Sequence, residues 1–191
     1  MISDYSGLKA SLADWMHRGD LNLRIPDFIR LAEARFNRML RVRQMEESRW
    51  TADVDGIVKL PDDWLELIDA PRCDGEPLEF VTRDQYRALR KRDHVGAYYT
   101  IFGDSLGIGY QDVDVEFDYY ARIPNLSEDE PKNWLLLEAP DAYLYGSLLE
   151  AEPYIKNDPR TATWKAFLEV ALNDIQGASD RSRFSGPMVI R

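Results

Sequence analysis

The sequence predicts an α+β fold, with terminal helices forming a small helical bundle, an inserted antiparallel β-rich region and an extended C-terminal tail. Three observations carry that prediction. Apolar residues recur at helical spacing up to Leu40 and again beyond Pro131. Between Trp50 and Asp118 the spacing drops to two, and the dipeptides Asp55-Gly56, Asp74-Gly75 and Gly103-Asp104 punctuate that stretch as hairpin turns would. The expected partition is 1–46 with 131–177 as a discontinuous bundle, 47–130 as the insertion with a short helix near 82–90, and 178–191 as the tail.

Taken in order, Leu8, Leu12, Trp15 and Met16 form one stripe of a first helix, with Gly19 placed to cap its end. Pro26 suits a first helical turn and Asp27 complements the helix dipole, so Phe28, Leu31, Ala32, Phe36, Met39 and Leu40 predict a second helix with a buried stripe. Trp50, Ala52 and Val54 lead as a strand into Asp55-Gly56, and Ile57 to Leu60 return from it. Ile68 to Cys73 is expected to face Leu78 to Val81 across Asp74-Gly75, and Tyr98 to Phe102 to face Leu106 to Tyr110 across Gly103-Asp104. Thr82, with Gln85 three residues later, reads as a capping box that opens a short helix through Leu89. Asn133 caps another helix, and Pro140 opens one that sets Tyr143, Leu144, Ser147, Leu148 and Ala151 on one side as far as Pro153. Asp158-Pro159 opens the last, whose stripe of Trp164, Phe167, Leu168, Ala171, Leu172 and Ile175 runs to Gly177.

At 191 residues, with 45% hydrophobic and 12% aromatic content, the chain can bury a substantial core as one folding unit. Its apolar runs fall well short of the roughly 18 residues that a membrane span needs, so no membrane partner is expected. Met1 to Ala10 lacks the pattern of a signal peptide, so the chain is expected to be soluble and not exported by that route. Cys73 is the single cysteine, which excludes an internal disulfide, and with two histidines it cannot complete a usual zinc site. The net charge of -10 opposes direct DNA binding, because affinity for DNA comes largely from cations that neutralise phosphates. That charge is unevenly spread. Arg24 to Arg49 holds seven arginines against four acids, whereas Asp112 to Glu152 holds eleven acids against Arg122 and Lys132. Such segregation fits solvated faces, and it equally fits copies that dock basic face to acidic face.

Catalytic chemistry finds little support. His17 and His94 have no serine or cysteine in a nucleophile-elbow context, and the glycine-rich run Gly103 to Gly109 lacks the lysine and helix of a phosphate loop. No cofactor or catalytic residue is expected. One constellation demands a physical account: alternation in Asp112 to Asp118 sends Val113, Val115 and Phe117 inward and sets Asp112, Asp114, Glu116 and Asp118 together on the other face. Neighbours about 7 Å apart on that face repel by a few tenths of a kcal/mol per pair in water. A solvated sheet face, a working electrostatic surface and a calcium site all use such a row. A straight strand cannot wrap six to eight oxygens around one ion, which counts against calcium. A glycosidase-like hydrolase would need two carboxylates facing each other across a cleft, and one open strand supplies no such pair.

Several ordered segments also carry a resemblance. They are Leu31-Ala32-Glu33-Ala34-Arg35 with Asn37-Arg38 and Leu40-Arg41-Val42-Arg43, Leu60-Pro61-Asp62-Asp63-Trp64, Tyr119-Tyr120 with Ile123-Pro124 and Leu126-Ser127, Asn133-Trp134-Leu135-Leu136, and Pro140-Asp141 with Tyr143-Leu144-Tyr145-Gly146. Their order and spacing resemble the head-to-tail adaptor, or connector, family of tailed bacteriophages, the ring subunits below the portal. The resemblance implies a structural virion protein without enzyme activity, made in the host bacterial cytoplasm. It implies a homo-oligomeric, commonly dodecameric ring that joins the portal protein to a tail or nozzle protein around a lumen for double-stranded DNA. Another tail or baseplate subunit and a carboxylate-dependent hydrolase remain the alternatives.

Three sets of site residues follow as expectations. Asp112, Asp114, Glu116 and Asp118 would line the channel or its rim, where an acidic surface leaves DNA free to slide. The segment from Ser179, with Arg181, Arg183, Phe184, Met188, Val189, Ile190 and Arg191, would dock on the portal. Arg30, Arg38, Arg41 and Arg43 would contact neighbouring copies, since a bundle cannot bury all four charges.

Overall fold

The computed structural model describes residues 2–155 and 158–183, and its architecture is mixed α+β. In chain order the elements are α1 (Tyr5–Met16), α2 (Ile25–Met39), β1 (Glu46–Ala52), β2 (Ile57–Lys59), β3 (Trp64–Leu67), β4 (Arg72–Cys73), β5 (Glu76–Pro77) and β6 (Glu79–Phe80). They continue with α3 (Arg83–Lys91), β7 (Tyr98–Phe102), β8 (Ser105–Ile108), β9 (Asp114–Ala121), α4 (Trp134–Glu138), α5 (Pro140–Ile155) and α6 (Thr161–Arg183). Two compact units result: the helical one comprises residues up to Gln44 and from Ile123 onward, and the β-rich one runs from Met45 to Arg122.

In the helical unit, α1 starts where the Asp4 carboxylate accepts the Gly7 N–H at 2.7 Å, and it buries Leu8, Leu12 and Met16. It ends at His17, which takes the left-handed conformation (φ 49°) expected of Gly19; Gly19 instead opens a 3₁₀ segment, Gly19–Arg24. The helix stops early because the His17 N–H closes back on the Ala13 and Asp14 carbonyls. α2 packs Phe28, Ile29, Ala32 and Phe36 inward. α5 packs against both α2 and α6. Gly146 permits the close approach of α5 to α2, since a Cβ there would come within 2.7 Å of the Phe36 ring, which lies edge-on to Tyr143. Full burial of a Phe side chain contributes about 1.5–3 kcal/mol, so this contact anchors the pair.

Three apolar residues of the predicted stripes point outward. Leu31, Met39 and Phe167 are 51%, 56% and 48% exposed. The last helix also overruns its expected end. It passes Gly177 and continues to Arg183, because Ser179 is buried and its hydroxyl accepts the Arg43 N–H at 2.9 Å, which docks that turn onto the chain leaving α2. Pro153 likewise sits inside α5 rather than ending it.

A polar network ties the incoming chain to α2. Asn37 and Glu33, one helical turn apart and both buried, accept the Ile123 N–H at 2.8 Å and the Leu126 N–H at 2.7 Å. Tyr143 donates to the same Glu33 oxygen at 3.2 Å, and Asn133 donates to the Tyr143 oxygen and to the Pro124 carbonyl, both at 2.6 Å. Asn133 also caps α4, as its sequence context predicts, by accepting the Leu136 N–H at 2.8 Å. Burial pushes the Glu33 carboxyl up from its ordinary value, against the opposing effect of its hydrogen bonds, and pushes the Tyr143 phenol up as well.

The β-rich unit holds two sheets rather than one small antiparallel sheet. One runs β1-β9-β4-β5 with β3 also pairing β9; the other runs β2-β8-β7-β6, and its β6–β7 pair is parallel. Val58, Leu60, Leu106, Ile108, Val115, Phe117 and Tyr119 belong to their shared core. Asp55 and Gly56 adopt positive φ (54° and 75°) as the dipeptide predicts, yet the strands either side join different sheets. Asp53 explains the departure: its buried carboxylate accepts the Gly56 N–H and the Val113 N–H, each at 2.7 Å, and so fixes the turn to the start of β9. Asp74-Gly75 joins the short strands β4 and β5, whereas β6, expected to face Ile68 to Cys73, pairs with β7 in the other sheet; Gly103-Asp104 joins β7 to β8 as expected. The Thr82–Gln85 capping box is present in both directions and opens α3.

Candidate functional site

β9 occupies an interior position, hydrogen-bonded to β1 on one side and to β3 and β4 on the other. Val115 and Phe117 are buried, and Asp114, Glu116 and Asp118 share the opposite face. Asp112 is not part of the row. It precedes the strand with a φ of 56°, in a left-handed turn where an aspartate is tolerated. The remaining row is less uniformly acidic than its own strand suggests. Ser48 donates to Asp118, Trp50 on β1 and Arg72 on β4 stand opposite Glu116, and Trp50 is 63% exposed. Among the described residues, no three His, Cys, Asp or Glu side chains converge in a way that could hold a metal ion.

Of the four arginines expected at a subunit interface, two lie on α2 and two on the chain that leaves it. Arg30 and Arg38 stand exposed on the helix, and among the described residues neither forms a salt bridge. Arg41 turns back on the helix end, donating to the Asn37 and Leu40 carbonyls at 2.9 and 2.6 Å, which satisfies acceptors that the last helical turn leaves open. Arg43 is exposed, while its backbone N–H is held by Ser179. Of the expected portal-docking residues, Arg181 and Arg183 lie in the last turn of α6, and Phe184, Met188, Val189, Ile190 and Arg191 lie outside the described residues.

One feature escapes sequence reading. Arg49, Lys59, Leu60, Pro61, Asp62 and Asp63 surround a cleft of about 430 Å³ in the β-rich unit. The Arg49 guanidinium engages the Tyr119 hydroxyl, which donates to Asp63 at 3.2 Å, so the Leu60-Pro61-Asp62-Asp63 segment is held to β9 by side chains. Arg49 on β1 and Asp63 in the turn before β3 are brought together because both strands pair with β9, whereas the Lys59–Asp62 ion pair at 3.8 Å is local. Cys73 is buried, and burial pushes its thiol up, which leaves it a packing residue.

These surfaces are open, mixed in charge and spread over strands and helix faces, as in a protein whose business is contact with other proteins. No curated protein matches the chain at a significant level. The family profile described as SU10 adaptor protein matches residues 3–191, which is nearly the whole chain. No helix among the described residues is long and apolar enough to cross a membrane. The chain belongs to the SU10 adaptor protein family, and is therefore a structural, virion-associated adaptor of the bacteriophage head-to-tail class.

Proposed function

We propose that this adaptor assembles as a dodecameric ring beneath the portal, joins the portal protein to a tail or nozzle protein, and leaves a channel through which double-stranded DNA passes without specific binding. The match to the adaptor family over residues 3–191 carries this reading. The net charge of -10 supports it, because a lining that neutralises few phosphates releases few counterions and does not grip the duplex. Asp114, Glu116 and Asp118 face the lumen or its rim in this reading, and Asp112 contributes charge from the adjoining turn. The portal is engaged by the chain end that follows α6, together with Arg181 and Arg183 of its last turn.

Truncation tests the portal contact. Removing residues after Gln176 would strip the buried Ser179 from the helical unit, so the informative variant ends after Arg183. That variant is expected to keep the parent's melting temperature and to lose binding to tail-less, DNA-filled heads with exposed portals. Normal binding by it would exclude the chain end as the portal contact.

A further inference from the structure

Two surfaces of the helical unit complement one another. The outward side of α2 carries Arg30, Leu31, Ala34 and Arg38, all exposed and spaced three or four residues apart, so they form one ridge. Among the described residues Arg30 and Arg38 form no salt bridge, although Arg30 is close enough to Glu33 to act on its carboxyl, and Leu31 is 51% exposed. An exposed apolar side chain between exposed cations matches the make-up of an interface, whose core is apolar and whose rim is charged.

The second surface is a groove of about 270 Å³ between the α4–α5 junction and the C-terminal half of α6. Ala139, Ala171 and Ile175 form its apolar floor, each less than a tenth exposed. Glu138, Asp141 and Asp174 supply its carboxylates, and no cation among the described residues lines it. Leu137, next to Glu138, is 60% exposed, and Val170, one turn before Asp174 on α6, is 58% exposed. The groove is smaller than the roughly 300–1,000 Å³ of small-molecule sites, and its shape suits a row of protein side chains.

We infer that the α2 ridge of one copy, with Arg30, Leu31 and Arg38, seats in the Glu138, Asp141 and Asp174 groove of the next copy. The inference rests on the ring assembly proposed above and names the surfaces that make it. Ridge and groove share no residue, so each copy can use its ridge on one neighbour and its groove on another, a heterologous contact that forms a ring when its rotation closes. Charge complementarity selects this occupant: the ridge offers two exposed cations, the groove three carboxylates, of which Glu138 also accepts from the Gln44 side chain, and no cation among the described residues, and apolar side chains lie on both. Charges at such a contact fix register and speed encounter.

Charge reversal on the full chain tests it. R30E/R38E spoils the ridge and D141R/D174R spoils the groove, and each is expected to cut ring assembly on portal-bearing heads at least about tenfold. The chain carrying all four reversals presents an acidic ridge and a basic groove and is expected to regain assembly. Mixing the two double variants is likewise expected to restore assembly with the two alternating, since the acidic ridge of one meets the basic groove of the other and the unaltered ridge meets the unaltered groove. A34C with A178C provides a readout independent of charge, expected as a covalent ladder of copies under oxidation, with the buried Cys73 not competing. Wild-type levels of assembly by both double variants would overturn the inference and leave the ring standing. A cross-link from A178C to the portal, or one confined within single chains, would also overturn it. Failure of the unaltered chain to form any multi-copy assembly would remove the ring itself and this contact with it.

Discussion

Among the described residues, each unit buries one carboxylate that fastens a returning chain, and the two do so differently. In the β-rich unit Asp53 uses both oxygens, one for the Gly56 N–H and one for the Val113 N–H. In the helical unit Glu33 gives one oxygen to both the Leu126 N–H and the Tyr143 hydroxyl, while its other oxygen is buried without a hydrogen-bond partner. Both hold chain segments that local sequence would leave loose. Only Glu33 couples the clamp to an incompletely satisfied buried group, which favours its neutral form. A carboxylate with both oxygens engaged behaves as a lock, whereas Glu33 is a lock whose strength depends on its proton.

Deleting the clamps is the sharpest way to break that comparison. Asp53→Ala strands two backbone donors and is expected to cost about 3 kcal/mol in denaturant unfolding. Glu33→Ala also strands two donors, but removal of a carboxyl that is costly to bury offsets part of the loss, giving about 2 kcal/mol. A cost for Glu33→Ala as large as that for Asp53→Ala would contradict the distinction. Gly146→Ala forces a methyl against the Phe36 ring and is expected to cost about 1–2 kcal/mol, with the loss confined to the helical unit when read by hydrogen exchange.

The pH dependence sharpens the comparison further. The folded Glu33 pKa lies above the ordinary 4.5, so the folded chain holds a proton that the unfolded chain releases. The stabilisation from this proton is full below 4.5 and is lost as pH rises through the elevated folded value. Glu33→Gln removes that titration, so the stability of wild type relative to this variant should decline over the same window; parallel pH profiles would exclude Glu33 as the source. The smallest effect belongs to the exposed row. Asp114→Asn, Glu116→Gln and Asp118→Asn are each expected within about 0.5 kcal/mol of wild type, because solvent already screens those charges.

Much of the fold was legible because helix stripes and Asp-Gly turns are local signals. The α2 stripe from Phe28 to Phe36, the Thr82–Gln85 box and the Asn133 cap follow from spacing alone. Leu31, Met39 and Phe167 show the limit of that logic, since helical periodicity marks apolar residues without saying whether their partner lies within the chain or outside it. Asp53 and Ser179 show another limit: their partners, Val113 and Arg43, lie far off in sequence, so the turn after β1 and the length of α6 depend on tertiary hydrogen bonds. The acidic row was readable as alternation, but its neighbours Trp50 and Arg72 come from other strands, and the cleft around Arg49 and Asp63 is likewise assembled by pairing.

The central claim is that this adaptor forms a closed ring on the portal. Counting bound copies on tail-less heads, by the mass of individual particles titrated with the full-length protein, tests it most directly. The account predicts saturation at one fixed multi-copy number per head, reached without populated intermediates and absent from heads that lack a portal. Single copies binding independently, or binding that ignores the portal, would contradict it.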